Sequence, residues 1–266
     1  MSIELLHKEP TEKIIRVYYD VYNRLSRTYP EFIYERAMMV LLERNGVQCS
    51  RQDEYEIRYK GQVVGVQRLD LFVTHEVAVE LKIGDHIQPI HRSQLVSYMK
   101  TVAAQVGMLF SFGGLQPTFA RRVLTSQDWN KQIDVKTVVA IDDSSLLHAE
   151  LIYHIIGGLL EVFQALGPGF IHRIYANACY QELKLRSLEV IPLHEFRVFL
   201  DDLDLGAIKL GHLQVENTVL VFPVATANMA TIEIDNLKAW MRHLNIPLGI
   251  VANFYTIHLQ PVILRI

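Results

Sequence analysis

Cysteine is nearly absent from this sequence: Cys49 and Cys179 are the only two in 266 residues. Neither belongs to a Cys-x-x-Cys pair, which argues against a thiolate zinc cluster. A disulfide between them stays open, but two buried thiols in a reducing cytosol are the simpler reading. An excess of basic charge is also missing. The formal net charge is −3, so a broad cationic surface for a polyanion is not expected. The balance is uneven, however. Residues 1–142 carry 18 Lys/Arg against 17 Asp/Glu, and residues 143–266 carry 8 against 12. The first half is therefore the better candidate for a phosphate site, and the attraction there must be local. Met1 to Pro10 contain no apolar run of signal-peptide length, and no stretch approaches the roughly 20 apolar residues of a membrane span. These absences lead us to expect a soluble cytoplasmic protein with no membrane partner.

What is present is apolar patterning. Half of the residues are hydrophobic, enough for one large core or two small ones. Ile14, Val17, Tyr18, Val21, Tyr22 and Leu25 recur at the spacing of one helical face, so Thr11–Ser26 is expected to be a helix. A second helix is expected over Glu31–Asn45, stopped by Gly46. Strands are expected at Tyr55–Tyr59, at Val63–Val73 with a kink at Gly65, and at Val77–Lys82. A helix over His91–Ala103 and a buried strand over Val106–Phe112 complete the first half. Ser126–Lys136 reads as a polar connection with Trp129 anchored, Thr137–Ile141 as a strand, and Asp142–Ser145 as a turn or helix start.

The pattern then repeats. Ile14, Val21, Tyr34, Ala37 and Leu42 recur as Ile155, Val162, Tyr175, Ala178 and Leu183, and Gly65 as Gly206, all at one shift of 141. After Gly206 one residue is inserted. Leu71, Val73, Val77, Val79, Leu95, Met99, Gly107 and Phe112 then match Leu213, Val215, Val219, Val221, Leu237, Met241, Gly249 and Phe254. A single slip over this span marks a tandem duplication, with copies at 1–142 and 143–266.

The duplication acts as an internal control on three charges. Asp70, Glu80 and Lys82 interrupt two expected strands joined by a turn at Thr74–Glu76. Side chains two apart on a strand share a face, so Glu80 and Lys82 point one way and Leu81 the other. Asp70 lies on the neighbouring strand within reach. Two close carboxylates and an ammonium are costly to bury unless a divalent cation joins them. The second copy has His212, Phe222 and Val224 at these places, with His172 for Glu31 and Asn236 for Gln94. Its apolar skeleton does without the charges, so folding does not demand them in the first copy.

The order Asp70…Glu80-x-Lys82 after a helix and two strands resembles the PD-(D/E)xK nucleases. Thr28-Tyr29-Pro30-Glu31-Phe32-Ile33-Tyr34 in the first copy is similar to the GxxExxY family of that superfamily, as is Gly167-Pro168-Gly169-Phe170-Ile171-His172-Arg173-Ile174-Tyr175 in the second. Val77–Lys82, Gln94–Met99 and Val106–Phe112 support the likeness, which covers about 14–122 and 155–255. Each copy departs from the motif: the first has Thr28 for the Gly, the second His172 for the Glu. The resemblance implies an α/β protein of two tandem restriction-endonuclease-like domains, each a mixed sheet flanked by helices, the second degenerate. It implies Mg²⁺ (or Mn²⁺) held by Asp70, Glu80 and the Leu81 carbonyl. Lys82 would orient or deprotonate water or stabilise charge on phosphorus, Glu31 would lie beside the metal, and Gln94 would reach toward phosphate. The substrate would be nucleic acid, with DNA favoured, and the second copy would stand where a second subunit stands in a homodimer.

Blander readings compete. Thr28 and Glu31 also fit a capping box, and the charged trio also fits a surface ion-pair cluster. Tyr34 and Tyr98 read as core residues with bonded hydroxyls. Arg121-Arg122, which follow the last core strand Val106–Phe112, are candidates for gripping a nucleic-acid backbone, as are Lys60, Arg68, Arg92 and Lys100. His75, His86 and His91 lack zinc-ligand spacing and read as loop histidines. A non-catalytic nucleic-acid-binding or scaffold protein on a nuclease fold is the rival to an enzyme.

Overall fold

A computed structural model describes residues 6–125 and 148–266. The expected connection Ser126–Lys136 with Trp129, the strand Thr137–Ile141, the turn Asp142–Ser145 and the boundary at 142/143 lie outside the described residues.

The first repeat runs α1 (Lys8–Arg24), α2 (Glu31–Arg44), β1 (Cys49–Arg51), β2 (Glu54–Tyr59), β3 (Gln62–Arg68), β4 (Leu71–Val73), β5 (Val77–Lys82), α3 (Pro89–Thr101), β6 (Val106–Ser111) and β7 (Thr118–Val123). Its main sheet has the order β1-β4-β5-β6-β7, with β5 and β6 parallel and the other neighbours antiparallel. Parallel neighbours need a crossover, and α3 supplies it. One side of the sheet meets α1 and α2. Ile14, Val17, Tyr18, Tyr34, Met38 and Leu42 from the helices pack with Leu71, Val79, Leu81, Met108 and Phe110 from the strands.

The second repeat runs α4 (Ala149–Leu166), α5 (His172–Leu185), β8 (Val190–Leu200), β9 (Leu203–Val215), β10 (Val219–Val224), α6 (Ile234–His243), β11 (Leu248–Asn253) and β12 (Val262–Arg265). Its sheet order is β12-β11-β10-β9-β8, again with one parallel pair, β10 and β11, joined through a helix. The chain is thus two mixed α/β sheets flanked by helices.

The duplicated positions do the same work in both copies. Tyr34 stacks on Phe112 and Tyr175 on Phe254, each with centroids 4.4 Å apart at 17°. The Tyr34 hydroxyl donates to the Ser26 carbonyl at 2.5 Å, and that of Tyr175 to the Gly167 carbonyl at 2.7 Å. Gly107 leaves room for the Met99 sulfur, and Gly249 for that of Met241; a Cβ would sit 2.5 and 2.8 Å from them. The repeated Tyr–Phe and Met–Gly pairs are therefore packing pairs.

Several expectations need correction. The strand expected over Val63–Val73 does not kink at Gly65; it ends at Arg68 and restarts at Leu71, so Asp70 sits at the break. A matching break occurs before β2, where Gln52 has φ +59° and its N–H donates to the Leu69 carbonyl at 3.0 Å. In the second copy β8 and β9 run uninterrupted by comparison. Arg121 and Arg122 do follow the strand expected over Val106–Phe112, but they lie within a further strand, β7, that was not expected. The capping box is absent: Pro30 is the N-cap, Glu31 is the first helical residue, and the Thr28 hydroxyl pairs with that of Ser26. Helix α4 is 18 residues long and apolar enough by length and composition to cross a membrane, contrary to expectation. Its Ile152, Ile155, Ile156, Leu159 and Leu160 are buried, as in a core helix. Cys49 and Cys179 are both free thiols.

By contact, the chain forms two compact units, and the division does not follow the repeats. The tip of the first hairpin, 58–65, belongs with the second repeat.

Candidate active site

Strand β5 carries the site's strictest requirement. Its first five residues are buried in the pattern of a central strand. Glu80 is among them, 3% exposed, and Asp70 is 8% exposed. A surface ion-pair cluster is thereby ruled out. The Asp70 Oδ2 atom accepts the Leu81 N–H at 2.8 Å, and Lys82 Nζ donates to Glu80 Oε1 at 2.5 Å. The break at Leu69-Asp70 is what frees Asp70 from the ladder and turns its carboxylate onto β5. The Thr74–Glu76 turn that brings β4 back against β5 has positive φ at Thr74 and His75, and its Glu76 N–H donates to the Val73 carbonyl at 3.0 Å.

The other Glu80 oxygen, Oε2, is buried and finds no partner among the described residues. Such an orphan costs stability unless something else meets it. Burial raises the Glu80 carboxyl well above the usual carboxylate range, and the adjacent Asp70 charge adds to this. Burial also raises Asp70, opposed by the Leu81 N–H and the Lys82 charge. Burial works against the Lys82 ammonium, but Glu80, Glu31 and Asp70 outweigh it, so Lys82 is held more firmly protonated than a free lysine.

Glu31, at the N-terminus of α2, joins this group. Its carboxyl is pushed up to about 7 by burial, with Lys82 opposing and Asp70 and Glu35 reinforcing. Carboxylate oxygens of Glu31, Glu35 and Asp70 lie within 4.8 Å of one another. Glu35 is a site residue that sequence reasoning missed. It is one helical turn beyond Glu31, and this i, i+4 spacing was the available signal. It is 3% exposed and accepts from Arg51 Nη1 at 3.0 Å and Gln52 Nε2 at 2.9 Å. The break that frees Asp70 also delivers these two donors.

Not every expected residue converges. Gln94 is buried on α3, where its Nε2 donates to the Tyr98 hydroxyl at 2.7 Å. At the start of α3, burial and then the Lys82 charge hold the His91 imidazole below its ordinary value. Arg121 and Arg122 do not join the acidic residues. Register places them opposite Met108 and Gly107, which pair with Val79 and Ala78 rather than with Glu80 and Lys82. Arg121 Nη2 donates to the Leu6 carbonyl at 2.5 Å. Lys60 is bound to Glu161 and Glu182 in the second unit, and Arg68 to Glu54.

The second copy fills the corresponding places with rings. His212 lies 4.8 Å from Phe222 and 5.1 Å from Trp240, centroid to centroid. Burial, with His172 nearby, lowers its pKa to about 4, so it sits as a neutral ring. No acidic group replaces Asp70 or Glu80 there.

One family model, that of the PD-(D/E)XK nuclease superfamily, matches residues 8–123 and again 149–266. The chain belongs to the PD-(D/E)XK nuclease superfamily. No curated protein and no solved structure matches it. Members of the superfamily typically use a divalent metal and take nucleic acid as substrate. The buried acidic cluster of the first repeat suits such an ion: its donors are hard oxygens, and Glu80 Oε2 lacks a hydrogen-bond partner among the described residues.

Proposed function

We propose that the first repeat is a Mg²⁺- or Mn²⁺-dependent nuclease site of the GxxExxY type, acting on DNA, and that the second repeat is a catalytically silent copy. The observation that carries this reading is the pairing of Asp70 with β5. It sets one carboxylate beside Glu80, whose second oxygen has no hydrogen-bond partner among the described residues, and beside a lysine held as ammonium.

Asp70 and Glu80 would hold the ion, with the Leu81 carbonyl as a third donor and Glu31 and Glu35 at its periphery. When bound, the ion supplies Lewis-acid polarisation of the phosphoryl group and a lowered pKa for water. Lys82 then acts as a cation. Its raised pKa makes it a poor proton acceptor and a good donor to a phosphoryl oxygen gaining negative charge. Gln94 steadies α3 through Tyr98 and reaches phosphate only if that hydrogen bond is exchanged.

The test combines Mn²⁺ titration by calorimetry with cleavage assays on duplex DNA, single-stranded DNA and RNA. Wild type is expected to bind Mn²⁺ and cleave DNA. Lys82→Ala should retain Mn²⁺ and lose about 10²–10³ in rate, and Asp70→Asn should lose both. No Mn²⁺ binding by wild type would sink the reading. Binding of metal and nucleic acid without cleavage would instead favour a non-catalytic binding protein on this fold.

A further inference from the structure

The start of α2 carries exposed rings on either side of a site carboxylate. Phe32 follows Glu31 directly and precedes Glu35 by three residues, so it borders the helix face that turns both carboxylates into the cluster. It is 55% exposed. Arg36, one turn further along the same flank, is exposed and enters no ion pair among the described residues. Before Glu31 stands Tyr29, 43% exposed. Its N–H donates to the Tyr34 hydroxyl at 3.2 Å, which fixes its backbone while the ring stays open.

The second copy again serves as a control. Phe170 replaces Tyr29, makes the same N–H bond to the Tyr175 hydroxyl at 3.2 Å, and is 3% exposed. Arg173 replaces Phe32 at an exposed position, and Asn177, whose Nδ2 donates to the Val64 carbonyl, replaces Arg36. Among the described residues, an exposed Phe or Tyr flanks this helix start only in the copy that keeps the acidic cluster.

Such rings suit one form of DNA. The site itself is acidic, with Glu31, Glu35, Asp70 and Glu80 against Lys82 and Arg51. Nearby cations are engaged elsewhere, Arg68 by Glu54 and Arg121 by the Leu6 carbonyl. Attraction to phosphate alone is therefore weak, and affinity needs another source. Stacking of bases on aromatic side chains supplies it, at about a factor of ten per base. In a duplex each base face is covered by the neighbouring pair, so only an unpaired strand can use the rings.

We infer that the first repeat takes its DNA as a single strand, with one base stacked on Phe32, Tyr29 offering a second platform, and Arg36 gripping the adjacent phosphate. The inference rests on the nuclease reading for the identity of the polymer, but not on its cleavage.

Fluorescence anisotropy of a short labelled oligothymidylate with Mn²⁺, in a Lys82→Ala background that slows cleavage, tests it. The single strand should bind about tenfold tighter, or more, than a hairpin duplex of equal length. Phe32→Ala should weaken single-strand binding about tenfold, and Phe32→Trp should restore it. Arg36→Ala should lower the slope of log Kd against log salt by about 0.7, the loss of one phosphate contact on a single strand, whereas Phe32→Ala should leave that slope unchanged. Both positions are exposed, so circular dichroism should not change. Tighter binding of the duplex, a neutral Phe32→Ala, or no binding of either nucleic acid would overturn the inference. Single-strand binding that depends on Phe32, in a wild type that cuts nothing, would uphold it and remove the catalytic reading. Cleavage of DNA together with a neutral Phe32→Ala would do the reverse.

Discussion

Glu31 shows how a single side chain changes meaning once its surroundings are known. In sequence it fitted a capping box as well as a metal site. In the structure it caps nothing, and its burial among Lys82, Asp70 and Glu35 raises its pKa to about 7. That sign has a consequence for the metal-free protein. The folded state holds a proton on Glu31 that the unfolded chain releases near its ordinary value of 4.5. Stability is therefore lost as pH rises from about 4.5 toward 7. Glu31→Gln should leave chelator-treated protein unchanged at pH 4 and more stable by roughly 1 kcal/mol at pH 8, allowing for partial solvent screening. Urea titrations at the two pH values check this, and equal effects at both would reject it. The Asp70, Glu80 and Lys82 trio was legible because charges break an apolar pattern and the second copy lacks them. Glu35 was not, because a glutamate on a helix looks solvated until the chain crossing above it is known.

At the scale of elements, hydrophobic period and turn residues located most of the structure. The strand Val77–Lys82 was placed with its observed ends. The break at Leu69-Asp70 was invisible because no glycine or proline marks it; Gly65, the obvious candidate, instead makes room for Ile174. The break arises from paired bends on two neighbouring strands, and it is tied to the Arg51 and Gln52 bonds to Glu35. That is tertiary information. The Met–Gly pairs were visible as repeated letters but not as contacts. Gly107→Ala should place a methyl 2.5 Å from the Met99 sulfur in a fully buried layer. We expect a loss of about 1–3 kcal/mol from overpacking. Met99→Ala in the same protein should recover part of it. Thermal denaturation of the single and double variants measures both, and a neutral Gly107→Ala would contradict the packing account.

For the whole molecule, duplication was legible from one constant shift, but the exchange of the hairpin tip was not. Residues 58–65 complete the second unit, where Tyr59 and Lys60 meet the buried Glu182. The fragment 148–266 alone should therefore be unstable, because Glu182 loses two of its partners and keeps Arg186. Glu182→Leu, which copies the Leu41 of the other repeat, should raise the fragment's melting temperature. It should lower that of the full chain, since Tyr59 and Lys60 would then face an apolar side chain. Calorimetry on the four proteins separates the cases. A wild-type fragment as stable as the full chain would show that the tip contributes nothing.

The same tip sets a clock on synthesis. Glu182 follows Tyr59 by 123 residues, so at about 5–20 residues per second the ribosome delivers it roughly 6–25 s later. Throughout that interval Tyr59 and Val64 have emerged without the helices that bury them. The first repeat must therefore fold around its acidic cluster while holding out an apolar hairpin, a window in which a chaperone or a neighbouring nascent chain competes with the second repeat for it.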